Sequence, residues 1–223
     1  MRLRHKTWQE EMISSHKDIA LEKTAIDEKS IPPFNMLEIG SGCGLFLLEL
    51  AKKHPENQYL GVEIQRTAFA IGIKKYVTDE NRPTNIHYIN APIEALLPTL
   101  EDESLDCIFL NFNDPWPKKR HHRRRLTYPT KLEEYYRVLK KGGKLLVRTD
   151  NDDYFEGTKE YFAEFNKFSY KVDEIAEPFE VMSEYESKFR STGKSIHALS
   201  AIKLWVPKLV YFIIKKPARM YWF

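Results

Sequence analysis

The 223-residue chain has only two cysteines, Cys43 and Cys107, far apart and outside any CxxC or Cys/His spacing. That scarcity excludes a disulfide framework and a zinc site, and it fits a reducing, cytoplasmic setting. Long apolar runs are also lacking. The longest, Leu204 to Ile214, is interrupted by Pro207 and Lys208 and falls well short of the ~20 residues of a membrane span. The basic start, Arg2-Leu3-Arg4-His5-Lys6, is not followed by an apolar stretch with a small-residue cleavage site, so neither export nor a membrane partner is expected. Internal repeats and low-complexity tracts are absent.

What a core requires is present. Hydrophobic residues make up 42% and aromatics 13% of the chain, which is incompatible with a disordered composition. The length suits one core with extensions rather than two independent cores. The expected division is a basic N-terminal arm and helix over 1–30, a central domain over 31–204, and a C-terminal extension over 205–223 with no assigned role. Net charge is only +3, yet residues 118–125, Lys-Lys-Arg-His-His-Arg-Arg-Arg, carry six formal positive charges. The rest of the chain therefore sums to −3, and the positive field is concentrated in one place.

Strand-like and helix-like segments alternate, which predicts an α/β fold with a mostly parallel sheet. Strands are expected at Met36–Ile39, Gln58–Glu63, Ile86–Ile89, Leu105–Phe112 and Lys144–Thr149, with weaker ones at Tyr170–Ile175 and Ala198–Leu204. Helices are expected at Leu45–Lys53, Thr67–Val77, Lys131–Leu139 and Tyr154–Phe165, with a short helical patch at Ile93–Leu97. Lys140-Lys141-Gly142-Gly143 reads as a cationic last turn and glycine stop for the third of these helices.

Two segments carry chemistry. In Glu38-Ile39-Gly40-Ser41-Gly42-Cys43-Gly44 a strand turns into a helix, and Gly40, Gly42 and Gly44 allow close backbone approach to a ligand at the carboxyl edge of a sheet. Glu38 precedes the glycines, and Glu63, at the end of the next strand, lies 19 residues beyond Gly44, where an acid meets a ribose diol in this architecture. The third glycine comes one residue early for the dinucleotide pattern G-x-G-x-x-G, which favours S-adenosylmethionine over NAD. Asn90, after the third strand, is a candidate for the adenine edge; its plainer reading is a turn-forming asparagine.

The second segment is Asn111-Phe112-Asn113-Asp114-Pro115-Trp116-Pro117-Lys118, at the end of the fourth strand. Two prolines stiffen the backbone around an aromatic ring, with Asp114 immediately before them. Such a platform suits a flat base held by stacking and edge hydrogen bonds. The cationic run from Lys118 to Arg125 adjoins it directly, which favours phosphate binding over a merely solvated face.

Asp114-Pro-Trp-Pro-Lys-Lys-Arg-His with Arg124-Arg125-Leu126-Thr127, preceded by Glu38-Ile-Gly-Ser-Gly and followed by Thr149-Asp150 and Glu184-Tyr185-Glu186-x-Lys188-Phe189, resembles the bacterial tRNA (guanine-N7)-methyltransferase family. The likeness extends from Arg2 to about Leu204. It implies a Rossmann-like class I methyltransferase domain over 31–204, with a mostly parallel seven-stranded sheet and helices on both faces. It also implies methyl transfer from S-adenosylmethionine to a tRNA guanine, at position 46 of the variable loop, by a monomer or homodimer. Glu38, Gly40, Gly42, Gly44, Glu63, Asn90 and Asp114 would then line the cofactor site. Lys118, Arg120, Asp150, Ser183, Glu184, Tyr185 and Glu186 would contact the RNA. Family members often have aspartate at the position of Asn90 and threonine at that of Ser183.

Guanine N7 carries an in-plane lone pair and no proton, so its attack needs no general base and no metal. Asp114 is the candidate for stabilising the cationic product ring. Asp150 is a candidate for the guanine edge, or alternatively for capping the helix near Tyr154. Three other readings stay open: a methyltransferase of the same fold acting on another acceptor, a non-catalytic RNA-binding protein, and an NAD-dependent oxidoreductase.

Overall fold

The computed structural model describes residues 7–204; the basic hexapeptide at the start and the 205–223 extension lie outside the described residues. Helix α1 (Thr7–Ser14), strand β1 (Ala20–Glu22) and helix α2 (Thr24–Asp27) lead into β2 (Met36–Ile39), α3 (Leu45–Lys53), β3 (Tyr59–Val62), α4 (Arg66–Val77), β4 (Ile86–Asn90), α5 (Ile93–Leu96) and β5 (Leu105–Asn111). Then follow α6 (Pro129–Val138), β6 (Leu139–Thr149), α7 (Asp152–Phe165), β7 (Phe168–Asp173), α8 (Glu184–Ser191) and β8 (His197–Lys203).

These strands form one sheet in the order β1-β4-β3-β2-β5-β6-β8-β7. All pairings from β1 to β6 are parallel, while β8 runs antiparallel to both β6 and β7. From β2 the chain first builds outward through β3 and β4, then returns to place β5 and β6 on the other side. The carboxyl ends of β2 and β5 thus meet at a topological switch point, where open α/β sheets bind their ligands.

Alternating strand side chains feed two cores. Leu37 and Ile39 of β2 and Ile108 and Leu110 of β5 pack with Leu132, Tyr135, Tyr154, Phe155 and Phe162 from α6 and α7. Cys107 and Phe109 of β5 point the other way and pack with Phe46, Leu47, Leu50, Phe69 and Ile73 from α3 and α4. Helices therefore cover both faces, as the apolar continuity of the central strands requires.

Among the described residues the sheet has eight strands where seven were expected. The additional one, β1, pairs with β4 through Ala20, Leu21 and Glu22, so the segment read as an arm contributes the sheet's edge. Three residues are too few to display a period of two, and only the pairing reveals the strand. The glycine pair also plays a different part. α6 ends at Val138 and β6 begins at Leu139, so Lys140–Gly143 lies within a strand. Gly142 there has φ 76°, and the register with β5 shifts between Leu105 and Cys107. No helix among the described residues is long and apolar enough to cross a membrane.

Candidate active site

A cleft of about 1040 Å³ opens at the switch point, bounded by the glycine loop, the ends of β3 and β5, the loop after β5 and the start of α8. Gly40, Gly42 and Gly44 all adopt left-handed φ, at 77°, 55° and 70°, which side chains rarely tolerate. A Cβ on Gly44 would also lie 2.7 Å from the Tyr88 ring. At Gly42 nothing lies within 4 Å of that position, so the backbone faces the open cleft.

Both sequence-predicted acids line this cleft and are buried. Glu63 accepts the Gly42 N–H at 2.8 Å and the Gln65 N–H at 2.6 Å, tying the glycine loop to the end of β3. Two N–H bonds leave the carboxylate further lone pairs for a ligand's hydroxyls. Its acidity is weakened, mainly by burial, with Asp114 adding like-charge repulsion. Glu38 is more strongly affected: burial pushes its carboxyl up to about 8, partly opposed by the Asn111 amide and reinforced by Glu63. Asn111 donates to Glu38 Oε1 at 2.9 Å, whereas Glu38 Oε2 is buried with no partner. A buried oxygen left unpaired in a cleft wall is a position for a donor from a bound ligand.

The loop after β5 holds the third acid. Asn113 donates to the Ile39 carbonyl at 2.9 Å, joining this loop to the glycine loop, and Asp114 beyond it is exposed along the cleft. The aromatic residues on either side of Asp114 have left-handed backbones, Phe112 at φ 51° and Trp116 at φ 44°. For bulky residues that conformation is costly and persists only where the surroundings enforce it. Trp116 lines the cleft, with the Arg124 guanidinium 4.9 Å from its ring centroid and the His121 ring at 5.9 Å.

The cationic run divides by burial. Lys119–Arg124 forms a 3-10 turn, from which Arg123 and Arg124 reach the cleft. Lys118 and Arg120 are exposed beside it without lining it. Arg125 is buried and faces inward.

The remaining candidates separate similarly. Ser183, Glu184 and Tyr185 line the cleft. Ser183 also caps α8, its Oγ accepting the Glu186 N–H at 3.1 Å, and Glu184 pairs with Lys75 of α4. Glu186 does not reach the cleft. It is buried and gripped by Arg148 at 2.6 and 3.0 Å and by Arg190 at 2.9 Å, which fastens α8 to β6. Asp150 lies outside the cleft wall, paired with Lys194. The cap of α7 belongs to its neighbour Asn151, which accepts the Tyr154 N–H at 2.8 Å. Asn90 also stands behind the wall: its amide donates to the Glu63 carbonyl at 2.7 Å, and its oxygen accepts from Arg66 at 3.0 Å.

Arg66 and Arg148, which brace the elements around the cleft, stand out only in the structure, and Arg125, expected within the phosphate-binding run, turns inward. No local signal marks them, because an arginine that folds inward reads the same as one that faces solvent.

A glycine loop, two buried acids at adjacent strand ends and an aspartate loop at a switch point define a nucleotide-type cofactor cleft of the α/β methyltransferase kind. Two solved structures share the fold. The 16S rRNA methyltransferase KamB is 16% identical with a TM-score of 0.57, over 91% of this chain and 96% of that one. The tRNA (m1A58) methyltransferase TrmI from Aquifex aeolicus is 14% identical with a TM-score of 0.53, over 92% and 72%. At such identities the likeness is one of architecture. Residues 33–199 match a family described as a putative methyltransferase. The tRNA (guanine-N(7)-)-methyltransferase of Lactobacillus johnsonii is 36% identical over 219 residues, covering 90% of this chain and 98% of the relative. That of Mycoplasma capricolum is 36% identical, covering 89% and 97%. The chain belongs to the tRNA (guanine-N(7)-)-methyltransferase family.

Proposed function

We propose that this protein transfers the methyl group of S-adenosylmethionine to N7 of a guanine in tRNA, at position 46 of the variable loop, in the cytoplasm. The observation that carries this reading is a single cleft. Its wall brings together Glu38, Glu63 and the open face of Gly42 with Asp114, Trp116, Arg123 and Arg124.

The residues present fit the cofactor. Glu63 retains lone pairs for the two ribose hydroxyls. The unpaired Oε2 of Glu38 suits the ammonium of the amino-acid end. Bound S-adenosylmethionine supplies an electrophilic sulfonium methyl. Guanine N7, which has an in-plane lone pair and no proton, would need no general base from the protein to accept that methyl group.

The protein's work is therefore placement and charge. Trp116, held at left-handed φ against Arg124, offers a flat surface for the base. Asp114 stabilises the positive charge that develops on the ring, an effect strengthened where water is excluded. Lys118, Arg120, Arg123 and Arg124 supply phosphate contacts, while Ser183, Glu184 and Tyr185 complete the cleft wall. Fixing the reacting atoms in line is worth up to ~7–11 kcal/mol in favourable systems.

The test is methyl transfer from labelled S-adenosylmethionine to unmodified bulk tRNA, followed by separation of nucleosides. Appearance of 7-methylguanosine, suppressed by rising salt, is the expected result. Label in another nucleoside, or no transfer despite tight cofactor binding, would overturn the assignment.

A further inference from the structure

Of the arginines that end the cationic run, Arg123 and Arg124 are exposed while Arg125 is 1% exposed. Its guanidinium is held inside the protein by three bonds. Nε donates to the Pro115 carbonyl at 2.8 Å, Nη1 to the Asp153 carbonyl at 3.3 Å, and Nη2 pairs with the Asp153 carboxylate. The group also stacks over the Tyr154 ring at 5.6 Å. A phosphate cannot reach a guanidinium enclosed in this way.

Pro115 lies between Asp114 and Trp116, and its carbonyl immediately precedes the left-handed Trp116. A backbone in that conformation reverts unless something holds it. Arg125 makes that hold, and Asp153, in the first turn of α7, anchors the arginine. We propose that Arg125 is a positioning residue for methyl transfer, fixing the Asp114-Pro-Trp-Pro loop through the Pro115 carbonyl instead of binding RNA. The inference rests on the functional reading above.

Two kinds of variant separate this role from its alternatives. Arg125→Lys keeps the charge, but one ammonium cannot reproduce a planar fork that spans Pro115 and Asp153. Gly157→Ala keeps the arginine at position 125 and favours the α7 helix by propensity, yet its Cβ would lie 2.5 Å from Arg125 Nη1 and must displace the guanidinium. A merely structural role predicts that Gly157→Ala, by displacing this buried group, lowers thermal stability and leaves the kcat of the folded enzyme at the parent value. A positioning role predicts that the kcat of the folded enzyme falls, whatever the change in stability.

The experiment measures kcat and KM on tRNA, S-adenosylmethionine affinity by calorimetry, and the salt dependence of tRNA binding. Expected are a fall in kcat of tenfold or more for Arg125→Lys, in line with the roughly 10²-fold cost that an ångström-scale misplacement can carry, and a smaller fall for Gly157→Ala. Cofactor affinity and tRNA KM should stay within about twofold. Arg125→Gln should leave the slope of log affinity against log salt unchanged, whereas Arg124→Gln should lower it by about 0.7–0.9, the value of one phosphate contact. If Arg125→Lys or Gly157→Ala keeps the parent kcat, or Arg125→Gln loses a full contact's slope, the inference fails. Should the Arg125 variants not fold, Gly157→Ala decides alone. A parent protein that makes no 7-methylguanosine would instead overturn the functional reading itself.

Discussion

Asn90 at the end of β4 donates its amide to the main-chain carbonyl of Glu63 at the end of β3, at 2.7 Å. Its oxygen is simultaneously held by Arg66, which also pairs with Glu10 of α1 and Glu22 of β1. Asn90, which the sequence places as a candidate for an adenine edge, thus braces the end of β3 that carries Glu63, and it couples the N-terminal elements to the cleft.

Removing that brace by Asn90→Ala should weaken S-adenosylmethionine binding by about 5- to 30-fold. This corresponds to one or two net hydrogen bonds of ~1 kcal/mol each. Turnover at saturating cofactor should change by less than about twofold. Calorimetric titration with parallel steady-state kinetics checks this. An unchanged cofactor affinity would show that Glu63 holds its orientation without the brace.

The contrast between Asn90 and Glu63 indicates what the sequence makes legible. Glu63 follows a strand of apolar residues and precedes a helix, so periodicity alone puts it at the sheet's carboxyl edge beside the glycine loop. The direction of the Asn90 side chain depends on Arg66, 24 residues away, and no local pattern carries that. The same holds for β1, recognised only through its pairing with β4, and for Glu186, whose buried fork with Arg148 joins residues 38 apart. The α/β order, the cleft-lining acids and the aspartate loop are local signals and were readable. The direction in which each arginine of the cationic run turns is a property of packing and was not.

Glu38 gives the site a pH signature. Its folded carboxyl is raised to about 8, first by burial, from an ordinary 4.5. Between those values the folded chain holds a proton that the unfolded chain has released, so this group lowers stability as pH rises. Glu38→Gln keeps an acceptor for Asn111 and removes the titration. The stability of Glu38→Gln relative to the parent should therefore increase from pH ~4.5 to ~8 and level off outside that window. Thermal denaturation of both cofactor-free proteins across pH is the check, and a difference independent of pH would refute the buried, proton-holding state.

Asp114 lines the cleft between two aromatic residues held at left-handed φ, and its proposed role is to meet developing charge. Asp114→Asn preserves size and loop geometry but removes the charge. Turnover should fall about 10²- to 10³-fold, the range seen when one preorganised electrostatic group is lost. Cofactor affinity should fall far less. Single-turnover methyl transfer with saturating tRNA measures the chemical step directly. Near-parent turnover would leave Asp114 with only a shaping role.

Glu186 and Tyr185 are adjacent on α8 and should fail in opposite ways. The Glu186 side chain is 2% exposed and its partner Arg148 11%, so Glu186→Ala leaves Arg148 and Arg190 without their shared carboxylate. Breaking such a buried pair typically costs ~3–5 kcal/mol, and the helix that presents Glu184 and Tyr185 loses its link to β6. Tyr185 is 56% exposed, so Tyr185→Ala should alter stability by no more than ~0.5 kcal/mol. It does remove a ring from the cleft wall, and kcat/KM for tRNA should fall about tenfold, the equivalent of ~1.4 kcal/mol. Denaturant melts and steady-state kinetics on both variants separate the two roles. A stable but inactive Glu186→Ala would mean that this carboxylate reaches the RNA after all, since a purely structural ion pair cannot be lost without loss of stability.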